Sequence, residues 1–193
     1  MVYRKVVKRL LDLLLAIPML IILLIPLIIV GIIIKLTSEG PVLFIQERYG
    51  RNSKPFVLYK FRSMTNKAPL KSNSEFENIT SYITPFGMFI RKTSIDELPQ
   101  LWNIIKGDMS FIGPRPLANT DNTVLVLRKQ SGADKVRPGI TGLAQVNGRN
   151  LVNDEQKARL DTKYVITQSF THDIKILYET FFAVAKREGI FKK

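Results

Sequence analysis

LLLAIPMLIILLIPLIIVGIII, residues 13–34, carries no charged or polar side chain over 22 residues, and its reading decides how the rest of the chain is arranged. As one unbroken helix it would extend about 33 Å, enough for a hydrocarbon core of roughly 30 Å. Two prolines, Pro18 and Pro26, complicate that picture. Pro26 sits near the middle, where it removes a backbone hydrogen bond and crowds the preceding turn. A break there leaves two apolar arms too short to span, and the segment then dips into the bilayer and returns, provided the freed backbone groups find partners. Charge does not choose between the courses. Arg4, Lys5, Lys8 and Arg9 precede the run and Lys35, Arg48, Arg51 and Lys54 follow it, whereas a spanning segment usually shows a bias. Length favours a crossing, and both courses stay open on the residues alone. Asp12, three residues after Arg9 and four after Lys8, reads as a paired carboxylate at the interface.

The 193 residues leave room for one compact domain beside this segment, which divides the chain into 1–36 and 37–193. Net charge is +13. The first part holds Arg4, Lys5, Lys8, Arg9 and Lys35 against Asp12, or +4, so the remainder carries +9. A basic domain beside an apolar anchor points to anionic partners: lipid headgroups, phosphorylated substrates or nucleic acid. The absence of cysteine excludes disulfides and thiolate metal sites. With His172 the only histidine, acid–base and nucleophilic work falls to carboxylates, Lys, Tyr or Ser, and a metal would be a hard ion held by oxygen.

PVLFIQERYG and PFVLYKFRSM read as two short strands joined by a turn. Residues 65–81, TNKAPLKSNSEFENITS, read as one long loop. The densest polar stretch is RKTSIDELPQLWNIIKGDMSFIGPRP, residues 91–116. Leu98, Leu101, Trp102 and Ile105 mark a helical face, with Ser94 placed to cap and Pro99 in the first turn. Asp96 and Glu97 then lie side by side at a helix N-terminus. Such a pair is usually a cap that complements the helix dipole. Its neighbours argue for more. Arg91 and Lys92 precede it, the rigid turn IGPRP brings Arg115, and KVRPGITGLAQVNGRN, residues 135–150, brings Arg137 and Arg149. Glycine-rich turns with forked guanidiniums make a phosphate cradle. A carboxylate approaching a diphosphate meets like charge costing about 4 kcal/mol per pair at 4 Å and an effective dielectric of 20, so such cations are what that chemistry needs. In DIKILYETFFAVAKREGIFKK, Ile174, Leu177, Tyr178, Phe181, Phe182 and Ala185 recur at helical spacing with basic flanks. That helix either packs on the core or lies in the membrane interface.

The ordered set VYRKVVKRLLDLLLA, YKFRSM, IRKTSIDELPQLWNIIKGDMSFIGPRP and KVRPGITGLAQVNGRN resembles the bacterial sugar transferase family, the monotopic phosphoglycosyl transferases, in its minimal catalytic form. The resemblance covers nearly the whole chain. It implies transfer of a sugar 1-phosphate from a UDP-sugar to undecaprenyl phosphate, with release of UMP, by a ping-pong route through a phosphosugar–aspartate. Carried over residue by residue, Asp96 would be the nucleophile, and Asp96 and Glu97 would hold Mg²⁺. Arg115 would bind a phosphate, with Lys60, Arg91, Arg137 and Arg149 as further phosphate or nucleotide ligands. Asp161, in LDTKYV, matches a recurring acid without an assigned role. The resemblance also implies a re-entrant helix broken at Ile25–Pro26. The catalytic domain would then sit on the cytoplasmic face of a bacterial inner membrane, against anionic headgroups.

Three positions depart from the family pattern. Ile25 precedes Pro26 where serine is usual, Leu143 stands in GITGL where tryptophan is usual, and LVNDEQKARLD lacks a tryptophan after NGRN. The expected fold is α/β of the α+β kind: a re-entrant helix, a short hairpin, amphipathic interfacial helices and a loop-rich site. No nucleic-acid partner is expected, and a homo-oligomer is left open. The competing reading is a basic membrane-surface or nucleic-acid-binding module without chemistry, predicting salt-sensitive binding and no turnover.

Overall fold

The computed structural model describes residues 2–68, 79–148 and 152–185. A π-helical turn, Tyr3–Val7, leads into α1, Lys8–Thr37. The hairpin β1 (Leu43–Tyr49) and β2 (Pro55–Phe61) follows, antiparallel with Leu43 opposite Phe61 and Tyr49 opposite Pro55. Next come α2 (Pro85–Lys92), a 3-10 turn (Ile95–Glu97) and α3 (Gln100–Lys106). A short parallel pair, β3 (Ser110–Ile112) and β4 (Gly139–Thr141), brackets α4 (Asn122–Ser131). The chain ends in α5 (Leu143–Val146), α6 (Asp154–Thr167) and α7 (Phe170–Ala185). The molecule is mostly helical, with two small sheets. Most of the 65–81 loop lies outside the described residues.

The expected break at Ile25–Pro26 is not an interruption of helix: α1 runs through both Pro18 and Pro26. A proline removes its own bond to the residue four back and leaves its neighbours' bonds standing. Packing holds both halves of α1. One stripe faces the protein, with Ala16, Leu20 and Leu23 against Leu58, Leu101, Ile104 and Met109. Further along, Leu27, Val30 and Ile34 meet Phe61 and Ile90. The opposite face, including Ile21, Ile22, Ile25, Ile28, Ile29 and Ile32, is exposed. α1 is the one described helix long and apolar enough to cross a membrane.

Polar contacts fix the ends of this helix. Asp12 keeps Lys8 and Arg9 within electrostatic reach but is buried in the protein rather than interfacial, accepting from Ser110 Oγ at 2.9 Å and the Phe111 amide at 3.2 Å. Lys8 reaches Asp173 Oδ2 at 2.7 Å. Tyr3 also donates to Asp173 Oδ2, at 2.5 Å, and Tyr164 donates to Oδ1 at 2.9 Å. At the other end, Arg62 binds the carbonyls of Ser38 and Glu39 at 2.8 and 2.6 Å. α1 is thus anchored on one folded body at both ends.

The C-terminal helix divides the two readings of its sequence. Ile176 is in the core with Ile112, Leu143 and Tyr164. Ile174, Leu177, Tyr178, Phe181 and Phe182 are exposed, so most of the apolar residues picked out by spacing cover no core. Leu143, where a tryptophan was the family expectation, is buried beneath β3 rather than displayed.

Candidate active site

The Asp96–Glu97 pair occupies its own 3-10 turn ahead of α3, and Ser94 takes a different part from the one expected. Ser94 makes no side-chain cap; its backbone is left-handed, φ 58°, a conformation that costs a non-glycine residue energy and clusters at functional turns. The helix that follows the turn is tied to β2 by Asn103 of α3. Fully buried, Asn103 donates to the Val57 carbonyl at 2.6 Å and accepts from the Tyr59 amide at 3.2 Å, satisfying the edge of β2 as a strand partner would. Lys60 of the same strand therefore arrives beside Glu97, Nζ to Oε1 2.6 Å. Of the face marked by Leu98, Leu101, Trp102 and Ile105, Leu101 is buried whereas Trp102 is exposed; Ile104 takes the second core position.

On the other side, α2 approaches the segment after β2 so closely that a Cβ on Gly87 would collide with the Ser63 carbonyl. Thr84 caps this helix, accepting from the Gly87 amide at 2.9 Å. The close approach sets Arg91 within electrostatic reach of Asp96, Glu97 and Arg115 together. Burial lowers the Arg91 guanidinium, and its Nη1 is buried without a hydrogen-bond partner. Burial pushes the Asp96 carboxyl up and Glu97 adds to the rise, against the pull of Lys60 and Arg91. The result is about 6.

Arg48 joins this group and was not anticipated as a site residue. It lies on the inward face of β1, alternating with the exposed Ile45 and Glu47. Burial, with Arg115 nearby, lowers it to about 10, which leaves it charged at neutral pH. Its Nη2 donates to Gln46 Oε1 at 2.6 Å, while Nε is buried and unpartnered. The available signal was a charged residue on the inward side of an alternating strand. Bringing Arg48 near Arg115 depends on the contact between Tyr49 and Leu117, amide to carbonyl 2.8 Å, which no spacing rule reveals.

Arg137 and Asp161 have other partners. Arg137 donates through Nε to the Gly107 carbonyl at 2.8 Å. Beside it Arg9 reaches the carbonyls of Ile104 and Ile105 at 2.6 and 3.0 Å. Two arginines thus satisfy carbonyls at the C-terminal end of α3. Asp161 is buried against Arg128 of α4, with Oδ2 2.6 Å from Nη2. Arg149 lies outside the described residues.

Chemically the site offers an acidic pair with Lys60 and Arg91 in reach, Arg115 beside Arg91 and Arg48 beside Arg115; Arg91 and Arg48 each keep a buried N–H group without an acceptor. Mg²⁺ fits this donor set. Among the described residues no three His, Cys, Asp or Glu side chains gather as a cage. Mg²⁺ keeps several waters and binds through one or two carboxylates plus substrate phosphates.

The chain is thus a small, mostly helical α+β body with one long apolar helix compatible with membrane association, and it carries a carboxylate pair with Lys60 and Arg91 in reach. Residues 3–187 match the family model described as bacterial sugar transferase. The chain is 48% identical over 158 residues to the uncharacterized sugar transferase EpsL of Bacillus subtilis (strain 168), covering 82% of this chain and 77% of that one. It is 37% identical over 185 residues to a UDP-glucose:undecaprenyl-phosphate glucose-1-phosphate transferase of Escherichia coli (strain K12), covering 92% of this chain and 40% of that one. To an undecaprenyl-phosphate galactose phosphotransferase of Salmonella typhimurium it is 39% identical over 176 residues, 81% of this chain and 36% of that one. The chain spans less than half the length of these last two relatives. It belongs to the bacterial sugar transferase family, and by that membership it is a transferase.

Proposed function

We propose that this protein transfers a sugar 1-phosphate from a UDP-sugar to undecaprenyl phosphate, releasing UMP and beginning a surface glycan. The observation that carries the reading is Asp96, buried beside Glu97 yet within reach of Lys60 and Arg91. An Asp96 oxygen attacks the β-phosphorus of the donor. A P–O bond to Asp96 forms, the bond to the bridging oxygen breaks, and UMP leaves with that oxygen. A phosphate oxygen of undecaprenyl phosphate then attacks the same phosphorus and displaces Asp96. The product is the lipid diphosphate sugar, and Asp96 is regenerated.

Asp96 and Glu97 would hold Mg²⁺, which when bound offsets phosphate charge. Lys60 orients Glu97 by their 2.6 Å ion pair. Arg91, Arg48 and Arg115 supply the charge that lets a carboxylate approach an anion, each repulsive pair being worth about 4 kcal/mol at 4 Å and an effective dielectric of 20. The buried N–H groups of Arg48 and Arg91 are donors already in position, which is how a site stabilises developing charge without reorganising.

The membrane course belongs to the same proposal. α1 lets only its exposed face into the apolar phase and does not cross it, keeping both ends and the catalytic body on the cytoplasmic face of the inner membrane. Its inward stripe supports this: contacts with the one folded body run from Lys8 to Ile34. The exposed row on α7 gives a second lipid-facing surface.

The test is UMP release by detergent-solubilised protein given undecaprenyl phosphate, Mg²⁺ and a panel of UDP-sugars, with Asp96→Asn alongside. Release that needs Mg²⁺ and is lost in the variant supports the route, and the best donor names the sugar. Undiminished release by Asp96→Asn rules out Asp96 as nucleophile. Topology is read separately, by impermeant labelling at both termini in intact cells and in inverted vesicles. Labelling of the two ends from opposite sides would contradict this non-crossing course.

A further inference from the structure

Arg128 and Asp161 stand on α4 and α6, sealed from solvent at 5% and 0% exposure. Nε and Nη2 of Arg128 both reach Asp161 Oδ2, at 2.8 and 2.6 Å. That geometry leaves Nη1 on the far side of the planar fork. There it donates to the main-chain carbonyl of Arg115 at 2.9 Å. The Arg115 side chain is exposed, next to the cationic group already described. Its backbone is therefore gripped from inside the protein while its guanidinium is presented outside.

The neighbouring peptide units are held as well. The Pro114 carbonyl accepts from the Gly139 amide at 2.9 Å, and the Leu117 carbonyl from the Tyr49 amide at 2.8 Å. Three elements, β4, α4 and β1, each hold one carbonyl of the Pro114–Leu117 turn. A Cβ at Gly113 would collide with the Arg137 carbonyl, so the turn is seated against its neighbours with no space left. A buried ion pair is a poor stabiliser, because desolvation consumes most of its attraction, and apolar pairs of similar volume often serve as well. What apolar side chains cannot supply is the third bond, from a rigid fork to a carbonyl in the site.

Building on the proposed reaction, we propose that the Arg128–Asp161 pair is a positioning device for Arg115. Asp161 fixes the plane of the Arg128 guanidinium, and Arg128 pins the turn so that the Arg115 side chain meets the donor diphosphate. Neither residue touches substrate. Both act through Arg115, and this gives Asp161 a role.

The test is a double-mutant cycle on four full-length proteins: wild type, Arg115→Ala, the paired Arg128→Met with Asp161→Leu, and all three together. Each is read for UDP affinity by titration, for KM and kcat of UMP release, and for Tm. Alone, the paired substitution raises the UDP Kd and the KM for UDP-sugar by about tenfold, since displacement of a substrate-holding group by about 1 Å is costly. On the Arg115→Ala background it adds less than about twofold, because residues acting through one another are not additive. Equal losses on both backgrounds would overturn the proposal, since general weakening of the fold acts on both alike. Should the paired variant fail to fold, Arg128→Lys keeps the charge facing Asp161 but cannot also reach the Arg115 carbonyl. It shows the same background-dependent loss, and wild-type affinity in Arg128→Lys would overturn the clamp. Wild-type UMP release decides the catalytic reading and the UDP affinity cycle decides the clamp, so either can fail while the other remains readable.

Discussion

Asp173 and Asp96 are both buried carboxylates facing cations, yet their surroundings are completed differently. Asp173 takes Lys8 and Tyr3 on one oxygen and Tyr164 on the other, and these contacts tie the N-terminus of α1 to α6 and α7. Asp96 has Glu97 as a like-charged neighbour, and the Arg91 guanidinium nearby keeps a buried nitrogen without an acceptor. A buried charge with every partner in place holds a fold together. A buried acid beside another acid, with cations left partly unsatisfied, is costly in isolation and makes sense when an anion arrives to complete it.

Replacing each carboxylate by its amide separates the two most sharply. Asp96→Asn should lower UMP release by about 10⁴-fold or more, the scale for losing a nucleophile. Its Tm should hold or rise, because burial of the charge opposes folding by on the order of 1 to 3 kcal/mol at neutral pH. Asp173→Asn should do the reverse. Leaving Lys8 buried without its counter-charge should cost about 3–5 kcal/mol, seen as a lower Tm in detergent, while turnover per folded molecule changes little. Loss of stability in Asp96→Asn matching that of Asp173→Asn would erase the distinction.

A smaller effect sharpens the comparison within the site. Arg48→Gln should raise KM for the UDP-sugar by about tenfold, or ~1.4 kcal/mol, with Tm unchanged or slightly higher. The pH profile gives the smallest change near neutrality. On the proposed route Asp96 must be ionised to attack, and burial with Glu97 raises it to about 6. The kcat/KM should therefore fall with unit slope below about pH 6 and lose about half its value at that pH. Stability runs the other way. The raised carboxyl contributes stability fully below its unfolded value near 4, and that contribution is lost as pH rises through about 6. Thermal denaturation of wild type against Asp96→Asn across that window checks the sign.

Much of this was legible in the sequence because it is local. The alternation in LFIQERY and PFVLYKF gave the hairpin, and the run of Asp96, Glu97, Arg91 and Arg115 within 25 positions gave the core of the site. What escaped is long-range. The parallel pair β3–β4 is three residues a strand and joins Ser110 to Gly139, too short for any periodic signal. Arg137 was read from its glycine-rich setting, which gives no hint that its Nε binds the Gly107 carbonyl and that its charged neighbours are Arg9, Arg51 and Asp12. Asp12 looked like an interfacial acid, but β3 supplies its donors. Pro26 looked like a break, yet helix geometry survives one missing bond where side chains on both sides pack on the same body. In each case the deciding partner lies dozens of residues away.

The central claim is a covalent bond to Asp96, and mass spectrometry of the protein incubated with its UDP-sugar and Mg²⁺, without undecaprenyl phosphate, tests it most directly. The account predicts a peptide containing Asp96 heavier by one sugar phosphate, formed with stoichiometric UMP and discharged on adding the lipid acceptor. A protein that turns over fully with acceptor yet carries no adduct, or carries it on another residue, would contradict the account.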